Sequence, residues 1–183
     1  MKIFSSAIIF LTVFILMKYL GASSKKQAHK NEEGIIVLRM NKAYGIVGYI
    51  GILISLVIGV IATLGTIKNI SDLIMAMSMF LFFFIISSML VMVSKNQRVE
   101  AGDEKIIAYS MTGKATVIKW SEVTKVQFSK TSLELKLTAK RQQAKLHMHF
   151  IGFWDFVDLM KRKLDILVYK DAILILDTVK KRF

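Results

Sequence analysis

Residues 44–94 read YGIVGYIGILISLVIGVIATLGTIKNISDLIMAMSMFLFFFIISSMLVMVS. Their only charged side chains are Lys68 and Asp72, both near the middle. The stretch is too long for one bilayer crossing. Split at Thr66-Ile67-Lys68-Asn69, it gives two apolar runs of roughly 20 residues each, the length a hydrocarbon core demands. A transmembrane helical hairpin is therefore expected over 44–94.

The interior of the hairpin is patterned. Gly45, Gly48 and Gly51 recur at three-residue spacing, then Gly51, Ser55, Gly59 and Thr63 at four. Residues three and four apart share a helix face, and small residues on that face let helices approach closely in lipid. Gly48, Gly51, Ser55, Gly59 and Thr63 are the candidate packing residues. Their groove could take the bulkier second run (Phe80, Phe82, Phe83, Phe84 and several methionines), a second copy of the chain, or another membrane protein. Carriers and proton channels place ionisable groups at membrane depth. Neither apolar run contains one, which weighs against transport.

Outward from the hairpin, residues 1–22 carry a third apolar segment, IFSSAIIFLTVFILMKYL at 3–20, charged only at Lys18. A cleaved secretory signal has a similar pattern. Charge argues against the cleaved signal. Export would carry Lys25, Lys26, Lys30, Arg39, Lys42 and the 18 Lys and Arg of residues 95–183 outside, against the positive-inside rule. An uncleaved anchor with its N-terminus outside puts both basic segments in the cytoplasm. The expected product is a multi-pass protein of the cytoplasmic membrane with three transmembrane helices and a cytoplasmic C-terminal domain. The connector at 23–43 begins polar. Its end, IIVLRMNK at 35–42, reads equally as a strand of the later domain, an interfacial segment or an extension of the next helix.

The chain is 54% hydrophobic yet carries a formal charge of +13, with apolar residues concentrated before position 95 and charge after it. It has no cysteine and no proline, which excludes disulfides, thiol catalysis and thiolate metal sites. Beyond Ser94 the period changes. Short β-rich runs occur at 97–101, 105–110, 114–120, 123–129, 132–138 and 144–150. Leu133, Leu135 and Leu137 alternate with Glu134, Lys136 and Thr138, and Leu146, Met148 and Phe150 with Lys145, His147 and His149. Period two with one apolar face predicts half-buried antiparallel strands. Phe153, Phe156, Val157, Met160 and Leu164 then define the apolar face of a helix. The expected domain at 95–165 is a small α+β unit of about six antiparallel strands closed by this amphipathic helix. The tail at 166–183 is read as a strand or helix continuation at 166–169, then a short helix from near Asp171.

Gly102-Asp103-Glu104, Gly113-Lys114, Trp120-Ser121-Glu122-Val123-Thr124-Lys125-Val126, the lysine-rich strand pair and the Phe-rich closing helix together resemble bacterial PH-like domains. More narrowly, the chain resembles small bacterial membrane proteins with such a domain behind a transmembrane hairpin, led in by residues like 36–44. The resemblance covers about 35–164; the first anchor and the tail lie outside it. It implies a non-catalytic module that binds a protein partner or anionic lipid at the cytoplasmic face. PH domains that bind phosphoinositides place basic residues in their first strand–strand loop, whereas the matching turn here, Gly102-Asp103-Glu104-Lys105, is net acidic. A competing expectation comes from the similarity of such proteins to immunity factors against membrane-active bacteriocins, which intercept a toxin at the bilayer.

Lys130, Lys136, Lys140, Arg141 and Lys145 are the candidate lipid or partner patch, clustered in sequence around one turn. The basic end Lys180-Lys181-Arg182 is a further candidate for contact with anionic lipid. His147 and His149 share a strand face but lack the further ligands a zinc site needs. No Ser–His–Asp order, Gly-rich phosphate loop or HExxH motif occurs, so no enzyme activity and no cofactor are expected. Neither a recognition helix nor an aromatic–basic platform points to nucleic acid.

Overall fold

The computed structural model describes residues 26–31, 34–64, 69–140 and 142–180. The expected anchor at 1–22 lies outside these, as do Lys68, Arg141 and residues 181–183. Two long helices, α1 (Lys42–Thr63) and α2 (Ile70–Asn96), form the hairpin. At 1.5 Å per residue they span about 33 and 40 Å, against a hydrocarbon core of about 30 Å. Both are long and apolar enough to cross a membrane. Among the described residues, apart from Val117, Ile166, Leu167 and Leu174, every exposed large apolar residue falls between 46 and 92. Apolar surface of this extent marks contact with a membrane or another protein.

The hairpin is inserted within the sheet domain. Strand β2 (Ile36–Met40) precedes α1, and β3 (Arg98–Ala101) follows α2. The two strands pair antiparallel, Ile36 opposite Ala101, Leu38 opposite Val99 and Arg39 opposite Arg98. Only Asn41 separates β2 from α1, and only Gln97 separates α2 from β3. Asn41 caps α1 by accepting the Ala43 N–H at 2.9 Å through its side chain. Of the readings open for residues 35–42, the strand is the one adopted. The sheet domain expected from residue 95 thus takes in a strand from ahead of the hairpin.

The larger sheet runs β1 (His29–Lys30), β2, β3, β4 (Lys105–Tyr109) and β5 (Ala115–Lys119), with β9 (Phe150–Ile151) also pairing with β2. The smaller sheet is β6 (Val123–Ser129), β7 (Glu134–Ala139) and β8 (Gln142–His147). A 3-10 turn at Trp120–Glu122 joins them. The Trp120 indole Nε1 donates to Gly102 O at 2.9 Å, and its ring lies 5.9 Å from Phe156. Inward-facing residues of both sheets (Leu38, Ile106, Ile118, Leu135, Leu137 and Leu146) are fully buried in one core.

Three local boundaries differ from the sequence reading. Leu133 sits at φ 52 ahead of β7 rather than within it. The strand expected at 144–150 breaks at Met148, and the chain crosses from the smaller sheet to pair Phe150 with Met40 of the larger one. The alternation persists because both strands face one core. Helix α3 (Phe153–Lys163) buries Phe153, Phe156, Val157 and Met160 in that core. Helix α4 (Ile166–Lys180) begins five residues earlier than Asp171, because the Asp165 carboxylate accepts the Leu167 N–H at 2.8 Å and caps it.

Within the hairpin, Gly45, Gly48, Ser55 and Ala62 are buried, an alternation of threes and sevens that stays on one side of an α-helix. A Cβ added at Gly48 would lie 2.7 Å from Val91 Cγ2 and 2.8 Å from Ser87 O. Gly51 faces Ser87, and Gly59 faces the Phe80 ring. Ser55 is fully buried and donates back to Ile52 O at 2.7 Å. Thr63 is exposed and donates back to Gly59 O and Val60 O. Steps of four overshoot a 3.6-residue turn by about 40° each, so the 51-55-59-63 row rotates off the contact before it reaches Thr63.

Gly48→Val is expected to destabilise the hairpin by about 1–3 kcal/mol through overpacking, while Thr63→Val stays within about 0.5 kcal/mol. Thermal unfolding in one detergent compares them; equal Tm values would contradict this helix contact.

Candidate functional site at the hairpin–sheet junction

The direction of each strand sorts the turns of the domain. β2 enters the hairpin and β3 leaves it, so Met40 and Arg98 mark the hairpin end of the larger sheet. The β4–β5 turn at 110–114 returns to that end, where Asn96 Nδ2 of α2 donates to Met111 O at 2.8 Å. The β6–β7 turn at 130–133 is there too, with the Met148 N–H donating to Leu133 O at 2.8 Å beside the crossing between sheets. The turns at 102–104 and 120–122, and Lys140 after β7, lie at the opposite end.

Exposed lysines lie at both ends, Lys42, Lys95, Lys114 and Lys130 at the hairpin end and Lys105, Lys119, Lys125 and Lys140 at the far end, where Asp103, Glu104 and Glu122 also lie. Lys163 reaches Asp103 at 2.8 Å from the end of α3 and holds its carboxyl below the usual range. The predicted basic patch is divided by the same rule. Lys136 and Lys145 are cross-strand partners, Lys130 sits at the hairpin-end turn, and Lys140 at the far turn with φ 44. Proximity in sequence around one turn does not bring them into one cluster.

What the fold does assemble at the hairpin end is a polar chain anchored on a helix. The Tyr44 hydroxyl, in the first turn of α1, lies 2.5 Å from His149 Nδ1. His149 donates its backbone N–H to His147 Nδ1 at 3.2 Å, and the two imidazole centroids are 4.7 Å apart. His149 is 6% exposed. Burial, and then the neighbouring His147, push its pKa down to about 4. Burial alone lowers that of His147. Neutral rings suit these contacts, because a bare Nδ1 can accept from the hydroxyl and from the backbone N–H. No group of three or more His, Asp or Glu that could hold a metal occurs among the described residues.

Beside His147 a cavity of about 350 Å³ opens between β4–β5 and β7–β8. Gln97, Tyr109, Thr116, Glu134, Lys145 and His147 are among its lining residues, with Phe150 at its apolar side. The sequence reading named His147 and Lys145 but not Tyr44, Gln97 or Glu134. Tyr44 carries a readable signal, an aromatic with a polar tip at the start of an apolar span. Glu134 carries none beyond its outward phase in the strand. Comparison with family models, curated proteins and solved structures finds no match for this chain.

An unfolded histidine titrates near 6.5 and the folded His149 near 4, so as pH falls the unfolded chain takes up the proton first. The stability associated with neutral His149 is complete above about pH 6.5 and declines toward pH 4, by up to about 1.4 kcal/mol per pH unit. His149→Asn is expected to flatten that part of the stability–pH curve. Melting of the detergent-solubilised protein between pH 4 and 7.5 measures it, and parallel slopes for variant and parent would contradict the assignment.

Proposed function

We propose that this chain is a membrane-anchored, non-catalytic interaction module whose sheet domain engages a ligand at the bilayer surface, a protein partner or anionic lipid. The observation that carries this reading is the pairing of β2 with β3 across the hairpin. A domain tied at both strands by single residues to two membrane-length helices has its hairpin end held against the headgroups. Lys42, Lys95, Lys114 and Lys130 at that end suit an anionic leaflet, each basic group near such a surface contributing about 1 kcal/mol.

The same features support the rest of the reading. Antiparallel strands followed by the amphipathic α3 are in keeping with a PH-like domain. The basic hairpin end favours the cytoplasmic side, with the protein multi-pass in the cytoplasmic membrane and the N-terminus outside.

The chain has no cysteine, so single introduced cysteines report position cleanly. Thr112→Cys, on the hairpin-end turn, is expected to react with a membrane-impermeant maleimide only after cells are permeabilised. Labelling in intact cells would overturn the orientation. A photocrosslinker at Lys130 is expected to give lipid or membrane-protein adducts, and one at Lys140 few. The reverse ratio would overturn the engagement of the hairpin end.

A further inference from the structure

Strand β1 shows from which side the chain ahead of it arrives. His29 stands opposite Val37 and Lys30 opposite Ile36, so β1 runs away from the hairpin while β2 runs into it. The residues before His29 therefore come from the hairpin end, and they are tied down there. The Gly152 N–H donates to Lys26 O at 3.0 Å, and the Ala28 N–H to the Asp155 carboxylate at 2.5 Å. β9, just ahead of Gly152, pairs with Arg39 and Met40, the last residues before Asn41 and α1. Both β1 and β9 lie on the β2 edge opposite β3. Lys26 thus marks the α1 side of the junction, away from α2.

On that side α1 presents an ordered apolar face. Gly45, Gly48, Gly51 and Gly59 face α2. At 100° per residue, Ile46, Ile50, Leu53, Val57, Val60 and Leu64 fall about 180° from them. These six are all more than half exposed, from 51% at Val57 to 76% at Leu64. They recur at alternating steps of four and three. Branched apolar residues at that period make the seam along which left-handed helix pairs pack, in membranes as in water.

We infer that the occupant of this face is the chain's own apolar segment at 3–20, seated as a helix antiparallel to α1, with α1 between it and α2. The inference rests on the module reading above, in which 3–20 is an uncleaved anchor. Its 18 residues give a helix of about 27 Å, close to the hydrocarbon thickness of about 30 Å. Only residues 21–25 separate it from Lys26, a reach of at most about 18 Å. Packed helices stand about 8–10 Å apart, so a seat against α1 is within that reach, whereas a seat beyond α2 is two further spacings away. The tether makes the association intramolecular and raises the local concentration of the segment at α1. The segment also carries a matching stripe. In a helix over 3–20, Ser5, Ile8, Thr12, Ile15 and Tyr19 share one face, and the small Ser5 and Thr12 leave room for the bulky α1 seam. With Tyr19 at the inner boundary beside Ile46, Ile15 falls at the depth of Ile50 and Thr12 at that of Leu53.

The test uses the full chain in its membrane, which has no cysteine of its own, with pairs of introduced cysteines oxidised by copper–phenanthroline. Ile15→Cys with Ile50→Cys is expected to form an intrachain disulfide, read as a gel shift that reductant reverses. The control pair is Ile15→Cys with Met89→Cys. Ser87 and Val91 face Gly48, so Met89 lies near the depth of Ile50, on the α2 face turned from α1. The first pair should link about tenfold faster than the control, since linkage follows local effective concentration. Thr12→Cys with Leu53→Cys repeats the test deeper in the span, and unaltered Tm values in detergent show that the variants fold. Equal rates for the first pair and the control, or no link in any pair, overturns the inference. So does an interchain dimer of Ile50→Cys alone that forms faster than the intrachain link, which gives the face to a second copy. A mature chain whose mass lacks residues 3–20 removes the occupant and overturns it as well. If the pairs fail while Thr112→Cys still labels only after permeabilisation, the helix seat falls and the membrane-module reading stands.

Discussion

The pairing of β2 with β3 constrains everything on either side of it. Adjacent strands lie about 4.8 Å apart, while packed helices lie about 8–10 Å apart. With one residue between each strand and its helix, α1 and α2 must leave the sheet closer together than ordinary side chains allow. The small residues answer that demand at the sheet end. A Cβ at Gly45 would meet Ser94 Oγ at 2.9 Å, and Gly48 and Gly51 repeat the close approach one and two turns on. By Gly59 the partner is a Phe80 ring, so the groove accepts bulk where the strands no longer set the distance. The glycine pattern is therefore tied to the insertion as well as to life in lipid.

How much of this was legible follows from the range of each interaction. The hairpin was legible because a run with two charges in 51 residues admits few other folds. β6 and β7 were legible because alternation is local. The strand at 36–40 could not be assigned, since its partner begins at Arg98 and nothing in IVLRM names a strand beyond the hairpin. The break after His147 was hidden for the opposite reason. Leu146, Met148 and Phe150 stay in phase although the pairing partner changes from β7 to β2. The Asp165 cap was a local signal that went unread in favour of Asp171.

The candidate site shows the same division. Reading Lys130 through Lys145 as one patch treats the hairpin turn at 140–141 as a centre, yet antiparallel strands send Lys130 and Lys140 to opposite ends. Once strand direction is known, the end of the domain on which each lysine falls follows with no further contact information. Glu134 and Tyr44 enter only through partners distant in sequence, His147 and His149, so no local period could have grouped them.

The apolar surface of the two long helices ends at Tyr44 and near Ser94, and both ends are tied into the sheet domain. Lys95 Nζ lies 5.6 Å from the Tyr49 ring, a lysine at a helix end folded along an aromatic of the partner helix. An interfacial tyrosine ordinarily satisfies its hydroxyl with water or a headgroup; here Tyr44 spends it on His149, inside the sheet domain. The domain therefore replaces solvent at the end of the span. With single residues at Asn41 and Gln97 as the only covalent slack, a rotation of α1 about its axis moves Tyr44 against His149. The sheets and the two long helices are thus joined at this end by a side-chain hydrogen bond as well as by the chain itself.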